Sequence, residues 1–296
     1  MPDRIPKPVR SSGTLTLGAG TAAATTVHRL GYGAMQITGP GIWGEPADPD
    51  ECRAVLRRAV DLGVDLIDTA DSYGPEVSER LIFEALHPYP DGLIIATKAG
   101  LTRQGPGQWQ PVGRPEYLRQ ECEMSLRRLG LERIDLFQLH RIDPKVPADE
   151  QFGLLADLVS EGKVANVGLS QVTVDEIEAA RSVVPVVSVQ NLFNLTDRTS
   201  ADVLAHCQAE GLGFIPWFPV ASGDLSGPDT AMGSIVAETG ATPTQVALAW
   251  LLHHSPVMLP IPGTKSVGHV EENCEAATLQ LTDDQVAALT AIHEAS

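Results

Sequence analysis

The stretch Leu66-Ile67-Asp68-Thr69-Ala70-Asp71-Ser72-Tyr73-Gly74 decides how the chain is read. An apolar run ends in an acid, a tyrosine follows five positions later, and Gly74-Pro75 opens a helical pattern. Alone, this is a strand end and a solvated turn. The next two expected strands end the same way, however. Leu93-Ile94-Ile95-Ala96-Thr97 runs into Lys98, and Ile134-Asp135-Leu136-Phe137-Gln138-Leu139 runs into His140. A core strand gains no packing energy from an ionisable terminus, so three in succession point to a site.

Working outward, apolar runs and helical spacings alternate strictly. Two alternating stretches, 13–18 and 24–28, flank a small-residue turn and read as a β-hairpin. Strands are expected at 29–36, up to Asp68, Lys98 and His140, and at 164–170, 186–190, 212–217 and 257–261. Helices are expected at 48–62, 77–86, 115–129, 147–161, 173–181, 199–210, 242–253, 267–276 and 282–291. Between Lys98 and Pro115 the chain reads as a long loop carrying Trp109. Counted from Leu30, eight strands each followed by a helix favour a closed (β/α)8 TIM barrel over an open sheet, with residues 1–296 as one domain. In such a barrel the catalytic groups come from the carboxyl ends of different strands. Asp68, Lys98 and His140 would then meet at one mouth.

The competing fold rests on Gly18-Ala19-Gly20-Thr21-Ala22-Ala23, which fits the glycine fingerprint of an open dinucleotide-binding sheet. The helix it needs would run through Thr25-Thr26-Val27 and break at Gly31 and Gly33. No acid closes a second strand about 20 residues further on, where that fingerprint requires one.

With 296 residues, 43% of them hydrophobic, the chain can bury a full core. A net charge of −17 argues against nucleic acid and anionic membranes as partners and for solubility, and says nothing about fold. No apolar run approaches the roughly 20 residues of a membrane span. The first residues lack the apolar region of a secretory signal, which points to the cytoplasm. Cys52, Cys122, Cys207 and Cys274 lie far apart in helical patterns and read as free buried thiols. No histidine pairs with a cysteine or another histidine at metal-ligand spacing, so no metal is expected. Oligomeric state is left open, with a monomer compatible.

The residue types at the mouth suit one chemistry. A neighbouring ammonium is expected to lower the pKa of the Tyr73 phenol, and Asp68, paired with Lys98, keeps that ammonium charged. His140 can donate a hydrogen bond from the facing strand. Tyr73 and His140 thus form a donor pair for an oxygen gaining negative charge. That suits carbonyl reduction, with hydride arriving at carbon while Tyr73 protonates oxygen. No side chain supplies hydride, so a nicotinamide cofactor is required. The alternative from these residues alone is a structural Asp68–Lys98 ion pair beside a packed tyrosine.

At this point the chain resembles the aldo-keto reductases over nearly its whole length. The resemblance lies in Asp68 to Gly74, Ala96-Thr97-Lys98, Leu139-His140, Gly168-Leu169-Ser170, and Ile261-Pro262-Gly263-Thr264-Lys265-Ser266 through Glu272-Asn273. It implies a catalytic tetrad of Asp68, Tyr73, Lys98 and His140, and an amino-terminal hairpin that plugs the barrel base. It also implies a cofactor cleft with Gly33 and Met35 on the first strand, and with Ser170, Gln171 and Gln190 as carboxamide partners. Gln171 stands where the family more often has asparagine. Trp217 takes the place of a ring stacked on the nicotinamide, although as bare sequence it also reads as a core tryptophan. Pro219-Val220-Ala221-Ser222-Gly223-Asp224-Leu225 resembles the loop that folds over the pyrophosphate.

In the last loop, Gly263 and His269 stand where many members carry a lysine and an arginine for the 2′-phosphate. Thr264, Lys265, His269, Glu272 and Asn273 remain to hold that end. NADPH is the expected cofactor and NADH the alternative. The stretch 29–36, with Gly39-Pro40-Gly41 and Ala241-Thr242-Pro243, resembles a bacterial branch that includes pyridoxal reductases. Trp43, Trp109 and Arg141 are the expected substrate residues, for pyridoxal or another aromatic aldehyde, though Arg141 equally suits pairing with one of the many acids. A slow nucleotide-dependent redox sensor on the same fold is the alternative function. A barrel glycosidase would need paired carboxylates at strand ends, and the fourth and seventh strands end in His140 and Trp217.

Overall fold

Successive side chains of a strand point to opposite faces, and here that alternation sorts residues into a barrel interior and a shell beneath the helices. The computed structural model describes residues 6–220, 227 and 230–295. A hairpin of β1 (Thr14–Leu17) and β2 (Thr25–His28) comes first. Its turn contains the Gly18–Ala23 stretch, which disposes of the open-sheet alternative. The following strands are β3 (Tyr32–Gly33), β4 (Leu66–Asp68), β5 (Ile94–Ala99), a second hairpin of β6 (Leu101–Gly105) and β7 (Gln108–Pro111), β8 (Ile134–Leu139), β9 (Val164–Ser170), β10 (Val186–Gln190) and β11 (Gly213–Phe214). The helices are α1 (Pro49–Asp61), α2 (Val77–Leu86), α3 (Pro115–Leu129), α4 (Ala148–Ser160), α5 (Val174–Arg181), α6 (Ala201–Glu210), α7 (Ala231–Thr239), α8 (Pro243–His254), α9 (Val267–Glu275) and α10 (Asp283–Thr290).

β3, β4, β5, β8, β9, β10 and β11 form one parallel sheet in that order. The eighth segment closes it. Phe214 N–H donates to Val257 O (2.8 Å) and Leu259 N–H to Phe214 O (2.8 Å), while on the other side Gly31 N–H donates to Pro260 O (3.0 Å) and Gly33 N–H to Pro262 O (3.4 Å). Pro260 and Pro262 have no N–H to give, so the segment accepts bonds on both flanks without the ladder of a regular strand. A Cβ on Gly33 would sit 2.6 Å from Ile261 O, so the two edges meet this closely only over glycine.

Leu66, Ile94, Ala96, Leu136, Ile215 and Leu259 fill the interior, and Leu17 and Val27 of the first hairpin pack against them. Leu66 and Ile94 begin their strands, so the hairpin plugs the amino-terminal end. It is fastened there by Asn166 Nδ2 donating to Ala23 O (3.0 Å) and His28 N–H donating to Asp65 Oδ1 (2.9 Å). Capping boxes start α5 at Thr173, α8 at Thr242 and α10 at Thr282. The four cysteines are buried and free. No helix among the described residues is long and apolar enough to cross a membrane.

Three expectations need correction. The first core strand is cut to two residues, because Ala34–Ile37 turns into a 3-10 helix. The long loop after Lys98 is the β6–β7 hairpin, and α7 was not expected at all. The plugged base yields a stability prediction. Leu17→Ala leaves a void under the barrel and is expected to cost about 2–5 kcal/mol, read as a lowered urea midpoint with an unchanged slope.

Candidate active site

Four parallel strands deliver polar side chains to one layer at the carboxyl mouth. Lys98, fully buried, is the last but one residue of β5 and has three acceptors for its three protons: Asp68 Oδ1 (2.5 Å), Thr69 O (2.8 Å) and Tyr73 Oη (3.4 Å). Asp68 Oδ2 in turn accepts from Gln138 Nε2 (2.8 Å) and Gln190 Nε2 (2.9 Å). The loop after β4 is pinned from behind, with Asp71 N–H donating to Lys98 O (3.1 Å) and Tyr73 N–H to Ala70 O (3.2 Å). Tyr73 packs edge-on to His140 (ring centroids 5.8 Å apart) and Trp109 (6.3 Å). Ser72 Oγ lies 3.3 Å from His140 Nδ1, which leaves Nε2 as the ring nitrogen for a ligand.

Burial dominates the electrostatics. It pushes the Tyr73 phenol up, against the downward pull of Lys98. The ammonium does pull this pKa down, as expected, but burial outweighs it and the net shift is upward. Lys98 is desolvated, but Asp68 and Tyr73 outweigh that and raise its pKa, so it stays charged. His140 is held well below its ordinary value by burial and then by Lys98 and Arg141, so its imidazole is neutral. Asp71, buried at the back of the loop and facing Glu79, is pushed well above the usual carboxylate range.

A cavity of about 830 Å³ opens above this layer. Asp68, Tyr73 and His140 lie at its wall with Trp109 and Arg141. Gly33, Met35, Ser170, Gln190 and Trp217 line it further along, and Pro219 and Val220 flank it. Gly263, Thr264, His269, Glu272 and Asn273 close its far end. Lys98 lies beneath it. Gln171, Lys265 and Trp43 do not line it. Gln171 has a left-handed backbone (φ 57°) and accepts the Trp217 indole N–H at 2.9 Å. Lys265 points to solvent, and Trp43, 37% exposed, stands behind Arg103. Gly223 and Leu225 fall outside the described residues. Phe218, left-handed at φ 56° and held by Asn194 Nδ2 donating to its carbonyl (3.1 Å), also lines the cavity. Such strain in a bulky residue is common at functional sites.

Two residues that matter to this geometry were not singled out from sequence. Gln138 shares the inward parity of His140, two positions on, and a polar residue there in an apolar strand was the signal. Arg103 faces Trp109 across the β6–β7 hairpin, and its guanidinium lies 3.6 Å from that ring's centroid. It donates to Gly41 O (2.8 Å), Ile42 O (2.5 Å), Ser72 O (2.9 Å), Gly105 O (3.3 Å) and Gln108 O (3.0 Å). One side chain thus ties the loop after β3, the loop bearing Tyr73 and the hairpin into one wall. The Gly105-Pro106-Gly107 turn between alternating flanks was the signal.

An eight-stranded βα barrel with its polar layer at the carboxyl mouth has the build of an enzyme. A model described as the aldo/keto reductase family matches residues 29–294. An oxidoreductase of Schizosaccharomyces pombe is 55% identical over 263 residues, covering 89% of this chain and 86% of that protein. Pyridoxine 4-dehydrogenase of Escherichia coli is 41% identical over 291 residues, covering 95% and 99%. Among solved structures, a glycerol dehydrogenase from Gluconobacter oxydans superposes with a TM-score of 0.81 at 28% identity, over 95% of each chain. An aldo-keto reductase from Klebsiella pneumoniae in complex with NADPH superposes at 0.79 with 25% identity, again over 95% of each. The chain belongs to the aldo/keto reductase family, and is an oxidoreductase.

Two outcomes follow for the site. Because the folded pKa of His140 lies below its unfolded value near 6.5, the unfolded chain binds a proton that the folded one refuses, and stability falls as pH drops through that window. His140→Gln should make the acid-side fall in urea midpoint shallower. Arg103→Met and Arg103→Lys should both release Trp109, seen as stronger acrylamide quenching of tryptophan emission, since a lysine cannot reproduce the fork.

Proposed function

We propose that the protein reduces an aldehyde or ketone to an alcohol with NADPH, and that Tyr73 is the proton donor. The observation that carries this is the Lys98 ammonium, bridging Asp68 and the Tyr73 hydroxyl at the cavity wall. The cavity's donor set suits a nicotinamide dinucleotide: the Ser170 hydroxyl, the Gln190 and Asn273 amides and the Trp217 ring border one continuous volume. Gln190 spends its Nε2 on Asp68, which leaves Oε1 as the acceptor for a carboxamide N–H. Gly33, Met35, Pro219 and Val220 would border the cofactor, and Gly263, Thr264, His269, Glu272 and Asn273 its far end. When bound, the nicotinamide supplies the hydride that the chain lacks.

The chain's residues do the rest. The carbonyl oxygen sits between Tyr73 and the neutral His140, which both donate to it. As negative charge grows on that oxygen, Tyr73 gives up its proton, and Lys98 stabilises the phenolate left behind. Asp68 keeps Lys98 charged, with Gln138 and Gln190 completing its hydrogen bonds. Leu101, Trp109 and Pro111 line the same cavity and suit a flat ring. With the relative named pyridoxine 4-dehydrogenase, that wall supports an aromatic aldehyde such as pyridoxal as substrate. The four buried free thiols suit a reducing compartment such as the cytoplasm.

Tyr73→Phe is expected to lower turnover by about 10²–10⁴-fold, the usual worth of a positioned proton donor. NADPH should still quench the variant's fluorescence with wild-type affinity. Near-normal turnover would remove Tyr73 from this role. A comparison of pyridoxal, 4-nitrobenzaldehyde, methylglyoxal and an aldose tests the substrate class.

A further inference from the structure

We infer that Arg141 selects the substrate by its charge, holding an anionic oxygen group, a carboxylate or phosphate, on the aromatic carbonyl compound that the cavity takes up. This rests on the carbonyl-reductase reading above and adds the substrate's charge to it. Two guanidiniums stand beside the cavity, and they differ. Arg103 spends Nε and both terminal nitrogens on backbone carbonyls and stacks on Trp109. Arg141 uses Nη1 alone, donating to His140 O (2.6 Å) and Ser170 Oγ (3.0 Å). Its Nε and Nη2 have no partner among the described residues.

No described carboxylate pairs with Arg141, although the chain carries 38 acids against 21 lysines and arginines. Arg53, Arg80, Arg119, Arg128 and Arg181 each have at least one acid within 4.0 Å. A half-buried guanidinium without a counter-charge is costly, and a ligand that brings the anion relieves that cost. The guanidinium fork meets a carboxylate or phosphate with two parallel hydrogen bonds. Arg141 directly follows His140 at the end of β8, so the anion it holds lies close to the carbonyl. Charge and carbonyl must therefore share one small molecule.

The test uses a pair with one body and two charges: 4-carboxybenzaldehyde and its methyl ester, with NADPH. Wild type should favour the acid by at least about tenfold in kcat/KM, the order of a charge-assisted hydrogen bond. Arg141→Met should bring the ratio near one, chiefly through the KM of the acid, and Arg141→Lys should restore part of it. In parallel, quenching of tryptophan emission by 4-(hydroxymethyl)benzoate should weaken at least tenfold in Arg141→Met. An acid-to-ester ratio near one in wild type overturns the inference while leaving the reductase reading intact. So does an Arg141→Met variant that loses NADPH affinity and keeps the ratio. If neither aldehyde is turned over, the reductase reading fails, and the benzoate titration still decides whether Arg141 binds the anion.

Discussion

A fully buried ammonium sets the terms for this molecule. Lys98 has no exposed surface, and removing a charge from water costs several kcal/mol that only close partners recover. Each of its protons therefore has an acceptor, and Asp68 is itself held by two glutamine amides. Lys98 stands on β5 and its partners come from β4 and the loop after it, β8 and β10, elements that reach the same layer only when the sheet curls shut. The layer is also tightly packed, since a Cβ on Gly168 would lie 2.5 Å from Ser188 Oγ and 2.9 Å from Gln138 Cγ. Closure by the proline-bearing segment 257–262 and plugging by the first hairpin complete the barrel on which this polar layer depends.

Much of this was legible in the chain, for physical reasons that can be named. A buried strand that ends in Asp, Lys or His has no packing motive, so Asp68, Lys98 and His140 stood out, and the regular βα repeat said where they would meet. Gln138 was hidden because a single inward polar residue inside Ile134–Leu139 looks like noise until its partner across the barrel is known. Arg103 was hidden because its role is tertiary: its acceptors Gly41, Ile42 and Ser72 are far away in sequence and are backbone oxygens, which carry no side-chain signature. The shortness of β3 and the insertion of α7 were likewise settled by packing. Gln171 and Trp217 were each expected at the cofactor, and the chain alone could not say that the first would accept the second's indole proton.

The balance at Tyr73 between burial and the ammonium bears most on the proposed mechanism. A phenol lowered by its ammonium would be a stronger acid before any substrate arrives, and would lose protonated population as it became one. Burial prevents this by keeping the proton in place, the uncharged phenol being the form a low-dielectric pocket prefers. In the proposed reaction the ammonium's influence would then be reserved for the moment at which the phenol gives up its proton. Lys98, 3.4 Å from the oxygen, interacts little with a neutral phenol and strongly with a phenolate, so in the proposed reaction its contribution would grow as the proton leaves. Interactions that strengthen only on the way to the transition state are the ones that raise turnover. In the proposed reaction Lys98 would therefore act on the phenolate and not on the resting phenol.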